Sequence, residues 1–136
     1  TATSDSIFSK VILAAPDVPT WFFISTVSNA ALRGIKFVHY YHPDDQATEV
    51  SQVRRATDGP CPGNHAVVLS QNVETVDCSE AKSVMIGAAV SLNHDYGRCD
   101  GYCLMDQREF LAGEDPHQRC LYEMEKESGK WKLRSG

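Results

Sequence analysis

The sequence predicts a mainly-β single domain over residues 1–136. The expected architecture is an antiparallel β-sandwich or barrel of about seven to nine short strands, with at most one short helix. Three observations predict it. β-Branched and aromatic residues recur in short runs bounded by Gly, Pro and Asn. Only one stretch has helical polarity, so amphipathic helices do not alternate with strands as a βαβ fold requires. The C-terminal stretch reads as a hairpin in which charge pairing and apolar alternation agree on one register. The alternative is an α+β arrangement with the single helical stretch packed on one sheet.

Taken in order, "SIFSKVILAAP" (6–16) alternates loosely and ends at Pro16. "PTWFFISTVSN" (19–29) is aromatic and β-branched and predicts a strand, as does "GIKFVHYYHP" (34–43) between Gly34 and Pro43. "DDQATEVSQVRRAT" (44–57) is the helical stretch, with Asp44 or Asp45 as N-cap and Val50 and Val53 on one side. "TDGPCPGN" (57–64) is a loop. "HAVVLSQNVETVDC" (65–78) has period-2 stretches, and "SVMIGAAVSL" (83–92) is a nearly continuous apolar run containing Gly87; both predict strands. In "CLYEMEKESGKWKLR" (120–134) a two-residue turn at Ser128-Gly129 sets Glu127, Glu125 and Glu123 opposite Lys130, Lys132 and Arg134. The other face then carries Tyr122, Met124 and Lys126 against Leu133 and Trp131.

Composition narrows the function classes. A chain of 136 residues can bury roughly two thirds of its unfolded surface, enough for one core. Hydrophobic residues at 42% and charged residues at 23% are ordinary globular values. The net charge of −5 gives no basic footprint for nucleic acid. No apolar run approaches the roughly 18 residues of a membrane span. The opening Thr-Ala-Thr-Ser-Asp-Ser reads as a mature or trimmed start.

The five cysteines, Cys61, Cys78, Cys99, Cys103 and Cys120, form no C-x-x-C pair, and the closest two, Cys99 and Cys103, do not have zinc-finger spacing. Cys61 in "DGPCPG" and Cys99 in "YGRCDG" sit in turn-like segments. Exposed thiols persist when oxidised, so the expected setting is an oxidising, secretory compartment with two disulfides and one odd cysteine. Five choices of the odd residue and three pairings of the other four leave fifteen arrangements open.

Chemistry-bearing residues are few. In "VHYYHPDD" (38–45) strand alternation points His39 and His42 to opposite faces, so they cannot bind one metal ion. No metal and no cofactor is expected. His65, His94 and His117 lie near turns, where a solvated imidazole is the default, and Trp21 and Trp131 read as packing residues. A ribonuclease-like site could be assembled from His94, Glu74 and Arg98, as acid, base and anion clamp, but no spacing forces them together. The common hydrolase and nucleotide motifs are missing, and no catalytic residue is assigned. The polar, aromatic turn "NHDYGRCDGY" (93–102), with His94, Asp95, Tyr96, Arg98 and Tyr102, is the candidate recognition surface. Tyr41 and His42, at the strand end in "VHYYHPDD", are added to it as ligand-contact candidates.

A compact β-rich chain, cysteines in turns ("DGPCPG", "YGRCDGYC"), an acidic balance and no recognisable active site together resemble the small secreted effector proteins of plant-pathogenic fungi. The resemblance implies a secreted virulence or avirulence protein that binds a host protein or carbohydrate through surface loops. The odd cysteine count departs from the fully paired apoplastic type and would suit delivery into a host cell. The alternative is a small secreted hydrolase, ribonuclease-like, using His94 or His65.

Overall fold

A computed structural model describes residues 8–54, 59–67, 69, 72–81, 94, 96–124 and 130–134, with only the backbone of Arg98, Cys99 and Glu123. In chain order the elements are β1 (Lys10–Ala14), α1 (Thr20–Leu32), β2 (Lys36–Tyr41), α2 (Gln46–Arg54), β3 (Val73–Asp77), α3 (Tyr96–Cys99), α4 (Gly101–Ala112), a 3-10 turn (Pro116–Gln118), β4 (Leu121–Glu123) and β5 (Lys130–Leu133). The strands form one sheet in the order β1-β2-β3-β5-β4, parallel except for β4, which runs antiparallel to β5. The protein is therefore α/β, which corrects both the expected sandwich or barrel and its α+β alternative. It also overturns the exclusion of a βαβ unit, since β1-α1-β2 is one.

The correction turns on residues 19–29. Their aromatic and β-branched content suggested a strand, yet Phe23, Val27 and Ala31 fall at i, i+4 and i+8 and are buried along one stripe of α1. β-Branched residues cost a helix only a few tenths of a kcal/mol each, so burying that stripe on the sheet decides the conformation. Pro19 sits just before the first helical residue, and its carbonyl accepts from Phe23 N at 3.0 Å.

The strand in 34–43 is present as β2, in the sheet interior, with every residue from Phe37 to Tyr41 buried. Continuous burial is what a parallel strand covered on both faces requires. The His39 ring packs at a tilt against Phe23 of α1, centroids 4.8 Å apart, placing α1 on the face that carries Phe37 and Tyr41. Val38, Tyr40 and Val76 pack on the other face with Cys103 and Phe110 of α4 and with Leu121, Trp131 and Leu133. Three layers result, with β1 at one edge of the sheet and β4 at the other.

The helical stretch within 44–57 is α2, and Asp45 is its cap, accepting from Thr48 N at 2.9 Å. Val50 and Val53 share the exposed side. Among the described residues of the expected strand 65–78, residues 73–77 pair, as β3; the strand expected over 83–92 lies outside the described residues. Helix α4 was not anticipated, although Asp100 accepts from Tyr102 N and Cys103 N at its start and Gly113, at φ 86°, closes it in the left-handed conformation.

The C-terminal strands are antiparallel, as expected, but the register differs. Tyr122 pairs with Lys132 and Glu123 with Trp131, so the two positions of each pair sum to 254 where the expected charge pairs sum to 257. The shift of three exchanges the faces. Leu121, Trp131 and Leu133 are buried against α4, and that burial outweighs surface charge pairs worth tenths of a kcal/mol to about 1 each. Lys132 instead meets Glu80 at 2.8 Å. The turn at Ser128-Gly129 lies outside the described residues.

One buried ionic network fixes α4 on the sheet. Arg119 donates through Nε and Nη2 to the two carboxylate oxygens of Asp106, at 2.9 and 3.0 Å, and through Nη1 to Glu74. Tyr40 donates its hydroxyl to the same Asp106 carboxylate. Burial opposes the Arg119 charge, but the bonds to Asp106 and Glu74 more than offset it and its pKa is raised.

Candidate functional site

Parallel α/β sheets bind ligands outside the carboxyl ends of their strands. Here that edge collects the residues following β2 and β3, His94, and Tyr96 of α3.

Asp45 is the centre. The β2 strand breaks at Pro43, and Asp45 N donates to His42 O at 3.0 Å, turning the chain into α2. The Asp45 side chain is buried, and His94 Nδ1 lies 3.0 and 2.8 Å from its Oδ1 and Oδ2. A carboxylate only accepts, so Nδ1 carries a proton, and in the neutral ring the lone pair is on Nε2. The His94 side chain is 43% exposed while that of Asp45 is fully covered. A buried carboxylate thus orients an imidazole whose other nitrogen can meet solvent, a geometry like that of the His–carboxylate pair in catalytic triads.

His42 lies beside this dyad, buried, with its ring 5.6 Å from that of Tyr96. Asp44 N donates to His42 Nδ1 at 3.1 Å, so the ring proton sits on Nε2. Burial lowers the His42 pKa against the opposing pull of Asp44, Asp45 and Asp77, leaving a neutral imidazole that can donate. Tyr41 donates to Asp77 Oδ2 at 3.1 Å, and Tyr96 donates to Tyr40 O at the same distance. Burial, helped by Asp77, raises the Tyr41 pKa, so it stays a phenol. A side chain at Gly97 would bring a Cβ to 2.7 Å from Ala14 Cβ, so this glycine lets α3 close over the end of β1.

Of the residues expected to recognise a ligand, Tyr41, His42, His94 and Tyr96 converge on this edge. Segment 93–102 is not the loop expected: it includes α3 and the start of α4, and Tyr96 is fully buried. Tyr102 is exposed on α4; Asp95 and the Arg98 side chain lie outside the described residues. Glu74 is held by Arg119 within the network that anchors α4, so it does not join His94 as the ribonuclease-like arrangement required. Asp45, the residue that defines the site, was visible in the sequence only as a possible helix cap. His39 and His42 do point to opposite faces, toward Phe23 and Tyr96 respectively.

The cysteine expectations change in part. Cys61 is buried, not exposed, and Cys78, Cys103 and Cys120 carry free thiols. None of these three is in a disulfide, and the Cys99 side chain lies outside the described residues. Trp131 packs as expected, edge-on to His117 at 4.9 Å, whereas Trp21 is 66% exposed. His65, His94 and His117 are exposed, as their turns suggested.

No protein-family model matches the chain, and neither a curated protein nor a solved structure matches it.

Proposed function

We propose that the protein is a hydrolase in which His94, oriented by Asp45, acts as general base on water, with His42 donating a hydrogen bond to the substrate. The observation that carries this reading is the exposed imidazole held by a buried carboxylate at the carboxyl edge of the parallel sheet. Three carboxylates, Asp44, Asp45 and Asp77, bear on His42, while Lys130 lies 5.9 Å above the Tyr41 ring. An acidic surround disfavours a phosphate, so the substrate class is an uncharged or cationic ester or amide. Hydrolysis of uncharged chromogenic esters should fall roughly a hundredfold or more in His94→Ala; a rate equal to that of the parent protein would remove the reading.

A second reading, the secreted binding protein directed at a host protein or carbohydrate, is favoured by a different observation. Trp21, Phe22 and Ile24 of α1 are 66%, 47% and 39% exposed, and the first two rings meet edge to face at 5.8 Å. An exposed apolar cluster on one helix is a common mark of an interaction surface. Trp21→Ser with Phe22→Ser should abolish capture of a partner from host extract while hydrolysis is unchanged. Equal capture by the variant would dismiss this surface.

A further inference from the structure

Cys78 and Cys103 stand apart from the other described thiols. Each is fully buried, both lie in the core cluster between the sheet and α4, and the two thiols lie near enough to act on one another. Their carriers are pinned. Cys78 follows β3 directly and its N–H donates to Tyr41 O at 2.8 Å. Cys103 is in the first turn of α4, its N–H donating to Asp100 Oδ1 at 3.0 Å, while Gln107 Nε2 donates to its sulfur at 3.4 Å. Two neighbouring thiols, buried in one cluster on fixed backbones, are placed to close a sulfur–sulfur bond of about 2.05 Å.

We propose that Cys78 and Cys103 form the protein's disulfide cross-link when it folds in the presence of a low-molecular-weight disulfide such as oxidised glutathione. One cysteine thiolate attacks the reagent's sulfur–sulfur bond and expels one reagent thiol. The second protein thiol then attacks the mixed disulfide and expels the other. The balance is one protein dithiol and one reagent disulfide giving one protein disulfide and two reagent thiols. Burial, with Cys103, Asp77 and Asp106 nearby, pushes the Cys78 thiol up, so the native core exchanges slowly and the bond closes as the chain folds. Of the fifteen arrangements open to five cysteines, fixing this pair leaves three, one for each choice of the odd residue among Cys61, Cys99 and Cys120. The link would tie the end of β3 to the start of α4 and so hold both ends of the segment that carries His94.

The test is to refold the full chain with reduced and oxidised glutathione, alkylate it in denaturant and map the peptides. The expected product is a linked peptide pair containing Cys78 and Cys103, lighter by two hydrogens than the separate peptides and lost on reduction. The oxidised protein should melt on the order of 10 °C above the reduced one, and Cys78→Ser with Cys103→Ser should show no such difference. Recovery of both residues alkylated after oxidative refolding, or of Cys78 linked to another cysteine, would overturn the proposal. The peptide map of the parent protein decides the matter even if the serine variant does not fold.

Discussion

His39 is the residue whose environment has the plainest consequence. Its Nε2 donates to Pro62 O at 2.6 Å, its Nδ1 has no partner, and burial lowers its pKa from 6.5 to about 4. Above pH 6.5 the ring is neutral in both folded and unfolded chains, and its contribution is constant. Between 6.5 and about 4 the unfolded chain takes up a proton that the folded core refuses, so stability is lost as pH falls through that window. The displacement corresponds to about 3 kcal/mol for this group alone, and His42, lowered in the same direction, adds to it. Urea midpoints measured across the window should fall steeply for the parent protein and less steeply for His39→Phe. Parallel curves would show that His39 is not the titrating group. The pleat that separates His39 from His42 was legible in the sequence because period-2 alternation depends only on backbone geometry.

At the scale of elements, the strands were read better than the helices. Residues 34–43 have the β-branched and aromatic content, and the Gly and Pro boundaries, of an interior strand, and β2 is one. Residues 19–29 have similar content but a different period, and for an exposed-plus-buried aromatic run the period decides. In a strand, Ser25 and Asn29 would share a face with Phe23 and Val27; in α1 both are exposed while Phe23 and Val27 are buried. Val27→Ala should therefore cost about 2 kcal/mol through a cavity against the sheet. Leu32, 86% exposed at the helix end, should tolerate Gln within about 0.5 kcal/mol. Denaturant unfolding of the two variants checks this, and comparable losses would contradict the helix orientation. α4 was legible in principle, from Asp100 as cap, Gly113 as stop and apolar or buried positions at 103, 106 and 110. Its register against the sheet was not legible. That is set by Asp106 meeting Arg119 and Tyr40, contacts 13 and 66 residues apart that leave no local pattern.

At the scale of the whole molecule, the parallel order is what creates the site. β2 and β3 run in the same direction, so the residues that follow them collect at one edge, where α3 brings Tyr96 and the preceding segment brings His94. An antiparallel sandwich would have scattered the same residues to both ends. His94 and Asp45 are 49 residues apart, and no spacing rule connects them, which is why the sequence offered His94 as a solvated turn residue and Asp45 as a cap. Both descriptions are true and incomplete. Asp45 Oδ1 accepts from Thr48 N and from His94 Nδ1, so one carboxylate starts α2 and sets the imidazole tautomer.

That double duty makes Asp45→Asn the most direct measurement. Asparagine caps a helix as well as aspartate does, so its oxygen keeps the Thr48 N–H and its amide group turns toward His94. Facing a donor, His94 must present a bare Nδ1 and carry its proton on Nε2, where it can no longer act as base. The variant should keep its far-UV circular dichroism and lose roughly a hundredfold or more in kcat/KM for an uncharged ester. A folded Asp45→Asn protein that hydrolyses the ester as fast as its parent would contradict the dyad.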